Sequence, residues 1–236
     1  MVTESQALEK FDVYFKMDQG SRTWNTRSQR VDVQAHMLEL QAHVTHMRKV
    51  PVPLGELHVD LVMIRPVGLT TLENGPTHVH GDLHLEDNDL TSLAHAPVLI
   101  TGDLFVSNNQ LMTFDAAHTT IQGDLNAKRN HLSDVQGIPH VHGVIMLTRN
   151  WSLTNLKHLP DQVNHLIISY YQELPLLPLL NVQGELRLAN VPTDHMYKAL
   201  HDIFNNPKYH GKGKHMMLNV AQELRKAGFP DSNIKW

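Results

Sequence analysis

The chain contains no cysteine. That excludes disulfide staples, thiolate metal sites and a cysteine nucleophile. It has no apolar run near the ~20 residues that a bilayer-spanning helix requires. Charge of one sign is not in excess either. The formal net charge of -4 is not that of a molecule built to coat nucleic acid or an anionic membrane. The amino terminus, MVTESQALEK, lacks the charged-then-apolar order of a signal peptide. These absences lead to the expectation of a soluble, intracellular protein. Apolar residues make up 41% of the 236 positions, a modest share that suits a chain with only a narrow inward edge.

What the sequence does contain is repetition. GDLHLEDNDLTSLAHAPVLIT from Gly81 is followed 21 residues later by GDLFVSNNQLMTFDAAHTTIQ. In this alignment Leu83, Leu85, Asn88, Leu90, Leu93 and Ile100 fall on Leu104, Val106, Asn109, Leu111, Phe114 and Ile121. A third copy from Gly123 supplies Leu125, Ala127, Asn130, Leu132, Val135 and Val141. The L-x-L step puts two side chains on one face of a short strand. The later three-residue spacing shows that the chain has left the strand and turned inward. The asparagine stands at that turn, where its side chain can bond backbone groups that neither a sheet nor a helix would satisfy.

The pattern L-x-L-x-x-N-x-L-x-x-L is that of a leucine-rich repeat at its shorter lengths. Further copies start near Gly143, Asn164 and, truncated, Gly184. Upstream, a copy from Asp60 aligns with Val62 and Ile64 as its inward pair and Val67 in place of the asparagine. A degenerate copy over Leu38–Leu57 precedes it, with Val44 among its columns. The expected fold is an α/β repeat: a leucine-rich repeat solenoid with a parallel sheet of short strands and helical caps at both ends. The expected boundaries are a cap over residues 1–34, the array over 35–192 and a two-helix cap over 193–236. The returning segment carries Pro76, Pro97, Pro139 and Pro160 at matching places, which favours extended backbone over helix. In the first cap, Thr3 and Gln6 form a capping-box pattern, and the helix is expected to run to Asp18–Gly20. In the second, Thr193 is the expected N-cap and Gly228 the left-handed closing residue.

The G-D-L openings, the KVPVPLGEL run at 49–57, the LPLLPLL run at 174–180 and the GKGK…ELRKAGF…W tail together resemble the leucine-rich repeat proteins encoded by tailed bacteriophages. The likeness covers nearly the whole chain. It implies a viral source, and a location in the infected bacterial cytoplasm or in the virion. It brings no activity to transfer. The 18 histidines depart from that group, whose members more often place Gly, Ser, Asn or Cys there.

Three sets of residues are candidates for function. The residues between the inward pair of each strand form a column expected to face solvent: Met63, His84, Phe105, Asn126, Met146, Ile167 and Arg187. These are either β-formers filling strand positions, with the neighbouring Asp residues shaping the turn before each strand, or a row of anchors for a protein partner, host or viral, with Asp82, Asp103, Asp124 and Glu185 as an acidic margin. Lys208, Tyr209, Lys212, Lys214, Arg225 and Lys226 make the tail basic. The tail is either a solvated cap surface or a contact for nucleic-acid backbone. The histidine pairs His78-x-His80 and His140-x-His142 lie three coils apart, roughly 14 Å at strand spacing, so one ion cannot join them. No cofactor or metal is expected. With no cysteine and only about 45 residues after the repeats, no catalytic constellation emerges, and the expectation is a non-enzyme. Self-assembly as a structural component is the remaining alternative.

Overall fold

The computed structural model describes residues 3–40, 47–63, 68–161, 163–171, 173–204, 206, 209 and 214–234. Ile64, Val67 and Val44, to which the sequence assigns columns of the repeat, lie outside them. The chain winds into a solenoid of parallel strands, with seven strands in register after the first long one. Leu83, Leu104 and Leu125 stack as neighbours, so the 21-residue spacing is one turn.

Each central coil contributes two short strands where the sequence predicts one. The front ladder consists of Leu61–Val62, Leu83–His84, Leu104–Phe105, Leu125–Asn126, Val144–Met146, His165–Ser169 and Leu186–Ala189. A side ladder runs through Leu54–His58, His78–Val79, Leu99–Ile100, Thr120–Ile121 and His140–Val141. Both ladders are parallel and both begin on β2 (Arg30–Leu40), whose first half pairs with Leu54–His58 and whose second half pairs with Leu61–Val62. The two-residue side strands give no period-two signal because each presents a single inward apolar residue, such as Val79 or Ile100.

The corner between the ladders explains the G-D dipeptide. Asp82 Oδ1 accepts from the backbone N–H of Asp103 at 2.7 Å, Asp103 Oδ1 from Asp124 at 2.7 Å, and Asp124 Oδ1 from Val144 at 2.7 Å. Asp60 serves Asp82 in the same way at 2.8 Å. Each glycine lies where a Cβ would invade the preceding coil's carboxylate, as at Gly102 against Asp82 and Gly123 against Asp103. Where the aspartate runs out, His165 Nδ1 accepts from Glu185 N at 2.9 Å.

On the opposite side of the front strands the asparagines form a second ladder. Asn109 Nδ2 donates to the carbonyls of Leu85 (2.9 Å), Val106 (3.2 Å) and Ser107 (3.3 Å), while its Oδ1 accepts from Leu90 N at 2.9 Å. Asn88, Asn130 and Asn150 repeat the arrangement, and all four are buried at 2–4% exposure. One side chain thus bridges two coils and its own turn, as buried polar turns require.

Helix α1 (Glu4–Tyr14) carries the reciprocal Thr3–Gln6 capping box and buries Ala7 and Phe11 against the first coil. It stops at Tyr14, not at Asp18–Gly20. Residues from Phe15 pair antiparallel with β2 as strand β1 (Phe15–Asn25), with Asp18 opposite Met37. The hairpin wins because it extends the sheet edge, where the backbone groups gain ladder partners. The expected boundary at 34/35 falls inside β2.

The carboxyl end packs α2 (Asp194–Phe204) through Leu200, Ile203 and Phe204, and α3 (Lys214–Lys226) through Val220, Ala221 and Leu224. Thr193 Oγ1 accepts from Met196 N at 3.2 Å, and Gly228 closes α3 at φ +89°. Beyond it, fully buried Asn233 takes over the asparagine role for the last coils. Its Nδ2 donates to Leu174 O (2.8 Å) and Tyr171 O (3.2 Å), and its Oδ1 accepts from the Tyr170 hydroxyl at 3.0 Å. Among the described residues no helix is long and apolar enough to cross a membrane.

Candidate functional site

The outward column of the front ladder is continuous. Val62 pairs with His84, His84 with Phe105, Phe105 with Asn126, Asn126 with Met146, Met146 with Ile167, and Ile167 with Arg187. Met63 is not in it. That side chain is fully buried, and Val62 holds the outward place. The copy from Asp60 aligns with Leu61 and Met63 inward, one residue away from the expected Val62 and Ile64. A one-residue slip flips a strand's faces.

His84, Phe105, Asn126, Met146 and Ile167 are half-buried and Arg187 is exposed. The partial cover comes from the ladder itself, since stacked side chains ~4.8 Å apart shield one another. The His84 and Phe105 rings lie face to face at 4.4 Å and 6°. Glu86 Oε1 sits 3.4 Å from His84 Nδ1. At the last coil Arg187 Nε donates to Glu185 at 2.7 Å, and that bond holds the Glu185 carboxyl below its ordinary range. In the expected acidic margin, Asp82, Asp103 and Asp124 each accept a backbone N–H of the next coil through Oδ1, the turn-shaping role, while Glu185 is exposed beside Arg187.

The basic tail is partly neutralised. Arg225 bonds Asp231 at 2.8 Å and Lys226 bonds Glu223 at 2.9 Å, while Tyr209 is half-buried beside α2 and α3. Lys208 and Lys212 lie outside the described residues, as does the side chain of Lys214. A different surface bearing three cations runs along the asparagine edge. There Lys128, Arg129 and Arg149, with Glu86 and Asp87 among them, line an open groove that continues to His131 and Trp151, the last 55% exposed. Arg129 and Arg149 hold left-handed backbone at φ 53° and 64°, in the column where Asp87 and Asn108 stand in earlier coils. Asp and Asn adopt that conformation readily, whereas arginine does so at a cost. The sequence carries this signal only once the repeat is used to align Asp87, Asn108, Arg129 and Arg149.

The histidines also assemble in ways that linear spacing hides. His140 and His142 meet edge to face at 4.9 Å. His80 is joined not to them but to His58 and Glu56 of the preceding coil. No protein-family model, curated protein or solved structure matches the chain.

Proposed function

We propose that the protein is a non-enzymatic binding module whose front ladder captures another protein, of host or viral origin, as the phage resemblance implies. The observation that supports this most is the in-register column from Val62 to Arg187. Its apolar members Val62, Phe105, Met146 and Ile167 stay partly open to solvent while the opposite side of the same strands carries the core. An apolar centre with His84, Asn126 and Arg187 among it has the composition of an interface core with polar specificity groups. The stacked coils hold it rigid, so little ordering entropy opposes association.

The test is affinity capture from phage-infected bacterial lysate, quantified for the unaltered chain, Phe105→Asp and Met112→Asp. Met112 is 61% exposed and lies off the front ladder, which makes it the control. Phe105→Asp is expected to lower capture of a discrete partner by roughly thirtyfold, the loss of one hot spot of about 2 kcal/mol. Met112→Asp should leave capture unchanged. Equal capture by all three chains overturns the proposal.

A second reading, nucleic-acid binding, draws support from the two left-handed arginines beside an exposed tryptophan. Cations and a stacking ring are what a single strand requires. Capture that vanishes on nuclease treatment, and with Arg129→Glu in place of Phe105→Asp, would transfer the function to that edge.

A further inference from the structure

The side ladder places four residues in a two-by-two patch on its outer surface. Glu56 and His58 stand on Leu54–His58, two apart and therefore on one side of the strand. The neighbouring strand sets His78 opposite Glu56, and His80 follows beside His58. The His58 and His80 rings stack in parallel at 4.3 Å and 2°. One ligand atom from each of Glu56, His58 and His80 comes within 4.8 Å of the others. His78 completes the patch, and its Nδ1 is buried without a hydrogen-bond partner.

We propose that Glu56, His58 and His80 form a binding site for a divalent transition-metal ion of the zinc class. Two nitrogens and one carboxylate oxygen are a donor set that zinc accepts. At zinc–nitrogen bonds of ~2.0–2.1 Å, tetrahedral ligand atoms lie ~3.4 Å apart, so atoms now within 4.8 Å of one another have at most about 1.4 Å to close. His80 N donates to Leu57 O at 2.7 Å, which holds the two strands in register beneath the site. Three protein ligands leave a fourth position for water or for His78. Coordination would add a metal link between two successive coils already joined at this surface by backbone bonds and the His58–His80 ring stack, so the ion acts as a staple near the start of the array.

The other histidine pair provides the control. His140 and His142 share a coil and lie outside this group, so a site of the proposed kind predicts no role for them in the tightest binding event. The experiment is isothermal titration of the full, tag-free chain with zinc chloride at neutral pH. It is paired with thermal unfolding with and without zinc. The unaltered chain should take up one ion at its tightest site. His58→Ala and His80→Ala should each weaken that site by no less than the ~10–100-fold that loss of an outer-shell partner alone costs. The His140→Ala/His142→Ala chain should bind as the unaltered one does. Zinc should raise the unfolding midpoint of the unaltered chain and of the control, and not of His80→Ala. His80→Gln, which keeps the side-chain length, replaces His80→Ala should the latter fail to fold. Absence of a tight site in the unaltered chain overturns the proposal. So does loss of that site in the His140/His142 control with retention in the His58 and His80 variants.

Discussion

Asn109→Ala is expected to destabilise the array by about 3–5 kcal/mol, which in a chain of this size is a fall on the order of 10 °C in the unfolding midpoint. The cause is the particular job of one amide. Its Nδ2 ties the carbonyl of Leu85 in the preceding coil to those of Val106 and Ser107 in its own, and its Oδ1 is the acceptor for buried Leu90 N–H. At 2% exposure no water replaces these partners, and a buried donor left alone costs its full desolvation. Asn109→Asp discriminates hydrogen bonding from shape. It preserves volume and the acceptor but sets a carboxylate against three carbonyl oxygens, so it should be at least as damaging as alanine. Hydrogen exchange should show the loss spreading to both neighbouring coils, because each coil is stabilised by the ones it touches. An Asn109→Asp chain as stable as the unaltered one would remove the hydrogen-bond explanation.

Gly102→Ala should cost about 2–4 kcal/mol although it adds a single methyl group. The added Cβ would overlap the Asp82 carboxylate and lie 2.8 Å from the Gly81 backbone carbon and oxygen. Asp82 would have to leave, and with it the 2.7 Å bond from Asp103 N. A double-mutant cycle with Asp82→Ala separates the two terms. Removing the carboxylate should recover part of the loss, leaving the clash with backbone in place. Gly228→Ala gives the contrast, since nothing lies within 4 Å of that position and only its φ of +89° is strained. Its cost should be about 1–2 kcal/mol, the penalty for a side chain in left-handed backbone. Full additivity of Asp82→Ala and Gly102→Ala would show that glycine and carboxylate are not coupled through the corner.

The sequence makes the front strands, the asparagine turns, the capping box at Thr3 and the left-handed Gly228 legible, because each is a local rule repeated or spelled out in adjacent residues. It misses what depends on the neighbouring coil. For Asp82, Asp103 and Asp124 it leaves a turn-shaping role and an acidic margin both open, and only the N–H groups one turn away show what each Oδ1 holds. Asn233 carries no repeat signal at all, yet it substitutes for the asparagine ladder from about 60 residues downstream, at Leu174 O. Met63 is a related case. The copy from Asp60 lacks the asparagine that anchors the others, so nothing local fixes its register and a one-residue slip puts the wrong side chain outside. His58 and Glu56 sit in the most degenerate part of the array, where spacing alone cannot bring them to His80.

A binding face on the front strands requires one side committed to the core and the other free of any internal duty. Leu104 and Phe105 are consecutive residues on opposite sides of the same strand, the first 1% exposed and the second half-buried. The decisive measurement is the thermal unfolding midpoint of Leu104→Asp beside that of Phe105→Asp. Phe105→Asp should stay within a few degrees of the unaltered chain, the range of about 1 kcal/mol for a surface strand position. Leu104→Asp, burying an unpaired charge, should abolish the cooperative transition. Collapse of both variants would place Phe105 in the core and contradict the existence of a free binding face.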